Sequence, residues 1–328
     1  MDSLIHNVQS LTLEEAPKLV YMDVLNFAMY FFKIRDHWSF QQAELKVHKL
    51  VASAKASNVR LKVFIDAFIQ SEESIRKWRK RRENEVLRSI RNVPQGLNVL
   101  LGEMFAAEGV EVCYSVDADN DDTLASHAHH DNASVLSQDK DFLRYIGATY
   151  TIYTEFKVSK KGLLILTKRT DMVLKPSVSM LDIKEKPATR DCNPGVTSLP
   201  ASYLRGSPSP LTKQCGNLHL TIRPLRQAYY ASLGLKAGVR EEFPVFRDGR
   251  VIWDVSENVE PDEFLIELLR DPVAAYAYFF KKLKKPRDVS YENWSNHVYA
   301  TYSIVFEMCG LYLNESLLSL LHKHAVKP

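Results

Sequence analysis

The segment ASVLSQDKDFL, residues 133–143, decides how the first half of the chain folds. It predicts a short buried strand over 133–137, with Asp139 and Asp141 immediately after its end. Three earlier segments have the same apolar and β-branched composition: 18–24, 59–66 and 110–116. Helix-spaced apolar residues occupy the intervals, at about 40–57, 71–91, 95–108 and 121–130. Strands that alternate with helices predict an α/β fold with a mostly parallel central sheet flanked by helices.

The later part of the chain has a different composition. Residues 149–156 and 161–169 predict a hairpin at the sheet edge, hinged at Lys161-Gly162. Residues 171–217 are rich in Pro, Ser and Thr and predict a long connection. Helical patterns return at 222–233, 261–283 and 292–322. We therefore expect a domain over 1–170, a connection over 171–217, and a helical C-terminal region over 218–328 packed on the first domain.

Composition excludes several classes of protein. The 328 residues are 45% hydrophobic and 25% charged, which excludes a disordered polymer. Lys and Arg number 43 against 40 Asp and Glu, so the formal net charge of +3 excludes a nucleic-acid binder that acts by bulk charge. The four cysteines form no CxxC pair, and free thiols predict a reducing compartment. The sequence has no apolar run of membrane-spanning length and no leader pattern. We expect an intracellular protein of the nucleus or cytoplasm, with no membrane association.

Aspartates collect where the predicted strands end. Asp23, Asp66, Asp139 and Asp141 each follow a strand, and four more follow the third strand, at 117, 119, 121 and 122. The carboxyl ends of parallel strands share one edge of a sheet, so these carboxylates should lie close together. Like charges at short range need a compensating cation, and hard oxygen ligands suit Mg²⁺ or Mn²⁺. Two such ions about 4 Å apart would favour in-line attack on a phosphodiester. The alternative is that single aspartates only cap helices or form turns.

Three segments carry a resemblance to a known family. Residues 64–82, 107–128 and 135–147 resemble the flap-endonuclease-like (XPG-type) branch of the PIN nuclease superfamily, over roughly residues 18–170. The match of Ser137-Gln138-Asp139-Lys140-Asp141-Phe142-Leu143 to the family pattern S-x-D-x-D-x-L is close. Residues 217–230 more specifically resemble the asteroid branch, whose members append a helical region to a nuclease-like domain.

The resemblance implies both a reaction and a set of site residues. It implies a nuclease that hydrolyses nucleic acid with two divalent ions, Mg²⁺ or Mn²⁺. The implied catalytic residues and metal ligands are Asp23, Asp66, Asp119, Asp121, Asp139 and Asp141, with Asp117 and Asp122 as alternatives in the middle pair. The sequence departs from the family pattern at Val24 and Ala67, lacks Glu in the middle pair, and lacks a helix-two-turn-helix segment.

A basic helix follows the second strand. Ser71–Arg91 contains eight Lys and Arg residues against four Glu. A helix of this kind beside an active site would bind the phosphates of DNA or RNA, here through Arg76, Lys77, Arg79 and Lys80. Trp78 could stack on a base or cover apolar surface. The alternatives are a solvated helix with Glu/Arg pairs or a nuclear-import signal.

Other motifs carry less information. His127, His129 and His130 lack the spacing of a zinc motif and indicate a solvated helix end. No Gly-rich phosphate loop is present, which argues against an ATPase or a dehydrogenase. The lysines of 281–286 close a predicted helix and need no ligand.

Two hypotheses about function follow from these patterns. The first is a Mg²⁺- or Mn²⁺-dependent nuclease that acts on single-stranded or structured DNA or RNA. The second is a nuclease-like scaffold without activity that binds nucleic acid or protein. In either case the C-terminal region could supply a surface for a protein partner.

Overall fold

The structure is a computed structural model, and it describes residues 17–34, 37–67, 72–91, 93–94, 96–115, 118–170, 178–179, 186–191, 203–205, 207–234, 239–256 and 262–309. The chain divides into two compact units, each made of separated segments. The first comprises Met1–Phe27, Ala43–Phe68 and Glu108–Asp191; the second comprises Ala28–Gln42, Ile69–Ala107 and Cys192–Pro328.

The strands are β1 (Leu19–Asp23), β2 (Lys33–Ile34), β3 (His37–Trp38), β4 (Arg60–Asp66), β5 (Glu111–Ser115), β6 (Ser134–Leu136), β7 (Tyr145–Ile146), β8 (Ile152–Val158), β9 (Leu164–Lys168), β10 (Val178–Ser179), β11 (Thr189–Arg190), β12 (Tyr203–Arg205), β13 (Arg240–Arg247) and β14 (Arg250–Ser256). The α-helices are α1 (Ala28–Phe32), α2 (Phe40–Ala56), α3 (Glu72–Arg88), α4 (Leu97–Ala107), α5 (Asn120–Asp131), α6 (Thr212–Cys215), α7 (Leu218–Ser232), α8 (Glu263–Leu268), α9 (Pro272–Lys282) and α10 (Tyr291–Met308). Short 3₁₀ helices span Val24–Phe27 and Asp141–Arg144.

The first unit is built on a sheet of seven strands, in the order β11-β5-β4-β1-β6-β8-β9. Strands β5, β4, β1, β6 and β8 are parallel, whereas β11 and β9 are antiparallel to their neighbours. The predicted α/β fold with a mostly parallel sheet and flanking helices is confirmed. The predicted edge hairpin is also confirmed, as β8 and β9.

Strand β1 is the middle strand of this sheet and pairs with β4 on one side and with β6 on the other. Val20 and Met22 are fully buried. The strand order grows from β1 through β4 to β5 on one side, and then continues with β6 on the other side of β1. This reversal makes a topological switch point between β1 and β6, and ligands of open parallel sheets bind at the carboxyl ends of strands at such a point.

Helix α5 packs through its small and apolar residues against the sheet. Leu124, Ala125 and Ala128 are fully buried, in one cluster with Phe64 and Val135. This packing fixes the first turn of α5 near the carboxyl ends of the strands, because the helix begins directly after β5.

The second unit combines helices with a three-stranded sheet of order β12-β13-β14. Its charged core is formed by Arg226 of α7 and Glu241 of β13, both buried. A second cluster joins Tyr230, Val239, Phe243 and Met308. The three domain boundaries expected from the sequence stay a prediction.

The structure corrects two details of the helical pattern expected after residue 218. Residues 240–256 form the antiparallel hairpin β13–β14, which the helical pattern does not predict. The single helix expected at 261–283 is two helices, because Asp271 caps a new helix that has Pro272 in its first turn. The part of the expected helix beyond residue 309 lies outside the described residues.

Of the helices that the structure describes, none combines the length and the apolar character that a membrane span needs.

Candidate metal centre

Three aspartates form an acidic triad at the carboxyl edge of the sheet. Asp121, Asp139 and Asp141 each offer one carboxylate oxygen, and these three oxygens lie within 4.8 Å of one another. Asp121 and Asp139 are half-buried, whereas Asp141 is exposed. Three hard oxygen donors at this spacing fit a Mg²⁺ or Mn²⁺ ion.

The turn after β6 positions the carboxylates of Asp139 and Asp141. The Ser137 hydroxyl accepts a hydrogen bond from the Asp139 backbone N–H at 3.1 Å. Asp139 Oδ1 in turn accepts from the Asp141 backbone N–H at 2.9 Å. Each side chain thus closes a small turn with the backbone two residues on, the local geometry that Asp and Ser favour. The turn fixes the spacing of the two aspartates before any ion binds.

The start of α5 supplies the third carboxylate. Asp119 is the N-cap residue, and its Oδ1 accepts from the Asp121 backbone N–H at 3.0 Å. The cap fixes the first helical turn, which directs Asp121 to the triad. The sequence predicts both Asp119 and Asp121 as ligands, whereas the structure places Asp121 in the triad and uses Asp119 as the cap of α5.

Asp23 lies buried at the end of β1, only 3% exposed. Its Oδ2 accepts hydrogen bonds from the Ser137 hydroxyl at 3.1 Å and from the Asn26 side-chain amide. Burial raises the pKa of Asp23 to about 7, and the charges of Asp139 and Asp66 add to the rise while the Ser137 hydrogen bond opposes it. A carboxyl this costly to ionise in isolation is typical of a functional site.

The carboxyl of Asp121 is also costly to ionise. Burial raises its pKa to about 8, and the neighbouring charges of Asp23, Asp119 and Asp139 raise it further, against the opposing charge of Arg144. A divalent cation would relieve this repulsion, because it favours the charged form of every carboxylate around it.

Asp122, the neighbour of Asp121, is held by other groups. Its Oδ1 accepts a hydrogen bond from the Tyr145 hydroxyl at 2.5 Å and forms an ion pair with Arg144 Nη2 at 2.9 Å. Arg144 Nη1 also lies 3.6 Å from Asp141 Oδ2. The guanidinium of Arg144 therefore places a positive charge at one side of the triad.

The structure brings together only some of the predicted site residues. Within the described part of the chain, the triad does not include three of the predicted ligands: Asp23, buried at the end of β1, Asp66, exposed at the end of β4, and Asp119, which caps α5. The charges of Asp66 and Asp119 still reach Asp23 and Asp121 respectively. Asp117 lies outside the described residues.

The basic helix α3 belongs to the second unit, and its basic side chains are partly paired with carboxylates and partly exposed. Arg79 pairs with the buried Glu242 at 2.5 Å, and Arg82 pairs with Glu85 at 2.8 Å. Five basic side chains of the helix are exposed: Arg76, Lys77, Lys80, Arg81 and Arg88. Lys77 also pairs with Glu73 at 2.7 Å.

Trp78 contacts another tryptophan. Its ring centroid lies 5.4 Å from that of Trp253, whose Nε1 donates to Glu83 Oε1 at 3.0 Å. Both rings are half-buried, so Trp78 at least covers apolar surface.

Sequence reasoning missed four residues of the centre: Asn26, Ser137, Arg144 and Tyr145. Ser137 stood in the quoted S-x-D-x-D-x-L match, but only as part of the pattern. Nothing in the sequence alone distinguishes Arg144 from other surface arginines, because its ion-pair partner Asp122 comes from α5, more than 20 positions earlier.

The expected solvation of the histidines is wrong for His127. This residue is only 8% exposed; its Nε2 lies 2.9 Å from the Pro187 carbonyl oxygen, and its ring packs against Phe64. Since α5 turns this position toward the sheet, the ring is part of the core, whereas His130 is exposed.

Comparison with known proteins gives one structural likeness. No protein-family model matches the chain, and no curated protein sequence matches it. The chain is similar to a solved structure described as the catalytic core of Rad2 in complex with DNA substrate, with 10% identity and a TM-score of 0.34. That alignment covers 96% of this chain and 82% of the other.

Proposed function

We propose that the protein is a nuclease of the flap-endonuclease-like type that hydrolyses phosphodiester bonds of DNA or RNA with Mg²⁺ or Mn²⁺. One observation carries the proposal: carboxylate oxygens of Asp121, Asp139 and Asp141 lie within 4.8 Å of one another at the carboxyl edge of a parallel sheet. The S-x-D-x-D-x-L resemblance, which contains two of the three residues, supports it.

The divalent ion and the side chains of the protein would have separate roles in the reaction. A bound divalent ion would supply Lewis-acid activation of the scissile phosphate. Asp121, Asp139 and Asp141 would hold it through oxygen ligands. Asp23 would add negative charge next to the triad, because Ser137 and Asn26 fix its carboxylate at the end of β1.

The exposed face of α3 would bind the nucleic-acid backbone. Arg76, Lys80 and Arg81 are exposed there, which suits contact with phosphates. Arg79 was expected to join them, but its pairing with the buried Glu242 favours a role in holding the helix.

Cell location and partners are further parts of the proposal. The free cysteines among the described residues, Cys113, Cys215 and Cys309, suit a reducing compartment such as the nucleus or cytoplasm. The helical C-terminal region would provide a surface for a protein partner.

A cleavage assay with matched variants tests the proposal. Asp139→Asn and Asp141→Asn keep the size of the side chain and remove the charge, and we expect each to lower Mn²⁺-dependent cleavage at least about a hundredfold. Asp191→Asn, which removes an exposed carboxylate outside the triad, should cleave like the wild type. Substrates should include single strands, flaps and hairpins of DNA and RNA, with Mg²⁺ and Mn²⁺.

The control also guards against a contaminating nuclease. All variants should be purified identically, so that a contaminant would appear equally in each. Cleavage that survives in both triad variants would refute the proposal.

A second candidate is a nuclease-like scaffold that binds nucleic acid or protein without cutting. The ion pairs of Arg144 with Asp122 and Asp141 favour it, because they neutralise part of the acidic charge without an ion. Thermal unfolding under a Mn²⁺ titration separates the candidates. A functional site adds about 2.7 kcal/mol of stability at a hundredfold excess over Kd, and a dead site adds little.

A further inference from the structure

We propose that Arg144 is a positioning residue that acts as a built-in cation of the acidic centre, so that the centre takes a single divalent ion. The inference rests on the proposed function and deepens it, because the family resemblance implies two ions.

The contacts of Arg144 place its guanidinium inside the acidic cluster. Nη2 lies 2.9 Å from Asp122 Oδ1, and Nη1 lies 3.6 Å from Asp141 Oδ2. The guanidinium carbon lies 5.1 Å from the centroid of the Tyr145 ring. The side chain is only 27% exposed, so water screens these interactions less than those of a surface arginine.

Tyr145 holds the arrangement in place. It is buried, 6% exposed, and its hydroxyl donates to the same Oδ1 of Asp122 at 2.5 Å. Arg144 Nη2 also lies 2.9 Å from the Tyr145 hydroxyl oxygen. Three groups are therefore joined in one network, which ties Asp122 to the guanidinium and away from the triad.

A second ion needs carboxylates next to the triad. Among the described residues, three of the acids beside the triad each have one oxygen engaged by a protein donor, which leaves each of them one carboxylate oxygen for an ion. Asp122 accepts from Tyr145, Asp119 caps α5, and Asp23 accepts from Ser137. The guanidinium would also repel a second dication at the side of Asp141. These contacts and the charge of Arg144 disfavour a second ion beside the triad and favour the one site that the triad forms.

Mn²⁺ binding to the full-length protein tests the inference with a readout other than activity. Calorimetric titration of metal-free wild type should give one ion per chain, and the paramagnetic resonance spectrum should be that of an isolated ion. Arg144→Gln should bind the first Mn²⁺ about tenfold more tightly, because a positive charge near the ion is removed. Arg144→Lys keeps the charge and should restore the wild-type affinity.

A matched control separates charge at the centre from charge in general. Arg60→Gln removes an arginine that also pairs with a carboxylate, Glu111 at 3.2 Å, but is exposed on the sheet. It should leave Mn²⁺ affinity unchanged. Tyr145→Phe should change the affinity in the same direction as Arg144→Gln, since it releases Asp122.

Several results would overturn the inference. They are two spin-coupled ions in the wild type, no Mn²⁺ binding at all, or an Arg144→Gln variant whose affinity is unchanged or weaker. The cleavage assay is read independently. A protein that binds two ions and cleaves refutes the single-ion centre alone, whereas one that binds one ion and never cleaves refutes the nuclease alone.

Discussion

At the scale of single residues, buried charges in this protein are held by several partners at once. Glu241, 1% exposed, accepts from Arg226 Nε at 2.7 Å, from Arg223 Nε at 2.9 Å and from the Tyr230 hydroxyl at 3.1 Å. Glu241→Gln would leave the fully buried Arg226 without its counter-charge. We expect it to lower the free energy of unfolding by about 3–5 kcal/mol.

Urea unfolding of the full chain measures this loss. The matched control is Glu267→Gln, since Glu267 pairs with Arg270 at the surface with side chains 65% and 77% exposed. An exposed pair of this kind contributes at most about 1 kcal/mol. Equal losses in the two variants would contradict the role assigned to the buried network.

Two buried histidines predict how stability depends on pH. Burial lowers the pKa of His297 to about 4, and burial together with the charges of Arg226 and Arg91 lowers the pKa of His219 well below its usual value. The unfolded chain binds these protons near pH 6.5 and the folded chain does not. The contribution of these two histidines to stability should therefore be complete above pH 6.5 and fall as the pH drops from 6.5 towards 4, whereas the raised pKa values of Asp23 and Asp121 act in the opposite direction.

His297→Gln tests this expectation through the slope of stability against pH. The ring of His297 packs 4.3 Å from that of Trp38, so the variant loses packing at every pH, and only the slope between pH 6.5 and 4 is informative. The slope should become shallower. His48→Gln, which changes a side chain 63% exposed, should keep the wild-type slope, and a wild-type slope in His297→Gln would refute the assignment.

The residue scale also shows how much of the site a sequence can predict. The aspartates after β1 and β6 were predicted from strand ends alone, because the edge of a parallel sheet is fixed by topology. The different places of Asp119 and Asp121, which were both predicted as ligands, were not predictable in this way, because they depend on which carboxylate caps α5. The inward-facing role of Arg79 was also invisible, since its partner Glu242 lies more than 160 positions later.

At the scale of secondary-structure elements, the hairpin β13–β14 depends on its turn. Asp248 and Gly249 both have left-handed backbone, with φ of 52° and 76°, as a two-residue type I′ turn requires. A Cβ on Gly249 would meet no atom within 4 Å, so the cost of a substitution there is that of the backbone alone. Gly249→Ala should destabilise the protein by roughly 1–2 kcal/mol.

Chemical denaturation checks this value against a control in the same turn. Asp248→Asn should change stability little, because Asn adopts left-handed backbone as readily as Asp. No loss in Gly249→Ala would show that the turn does not limit the stability of the hairpin.

The elements of the first half were predicted more closely than those of the second. Strands β1, β4, β5 and β6 were expected within two residues of their bounds, since buried parallel strands read as short apolar runs between helices. The hairpin β13–β14 was missed because charged residues interrupt its apolar pattern and Pro244 lies within a strand. Its signal was present in Asp248-Gly249, a strong turn dipeptide.

At the scale of the whole molecule, ion binding and nucleic-acid binding should be separable. The triad belongs to the first unit and α3 to the second. Combining Arg76→Gln, Lys80→Gln and Arg81→Gln should weaken binding to single strands and lower the slope of log K against log salt by about 2. Mn²⁺ affinity should stay that of the wild type.

The matched control removes the same charge elsewhere. Lys157, Lys160 and Lys161 are exposed at the β8–β9 hairpin, and changing all three to Gln lowers the net charge equally. Binding measured over a range of salt concentrations should be affected less by this variant. Equal effects of the two triple variants would mean that α3 has no specific role.

The segments of the two units alternate along the sequence, and this order predicts how a shortened chain behaves. A chain that ends at residue 170 keeps the segments 28–42 and 69–107 of the second unit but lacks α10. In the full protein Phe40 is 2% exposed and packs 4.9 Å from Tyr299, and the Trp38 carbonyl accepts from Asn296 at 2.8 Å. The shortened chain should therefore expose this apolar surface, elute as aggregates on size exclusion and bind a hydrophobic dye.

Supplying residues 171–328 as a separate chain should restore solubility, because it returns the missing partners of Trp38 and Phe40. This complementation distinguishes a lost partner from a general failure to fold. A soluble, monomeric fragment 1–170 that unfolds cooperatively would mean that the first 170 residues need no core from the rest. The C-terminal region would then be an independent domain, and the expected packing of that region on the first domain would be wrong.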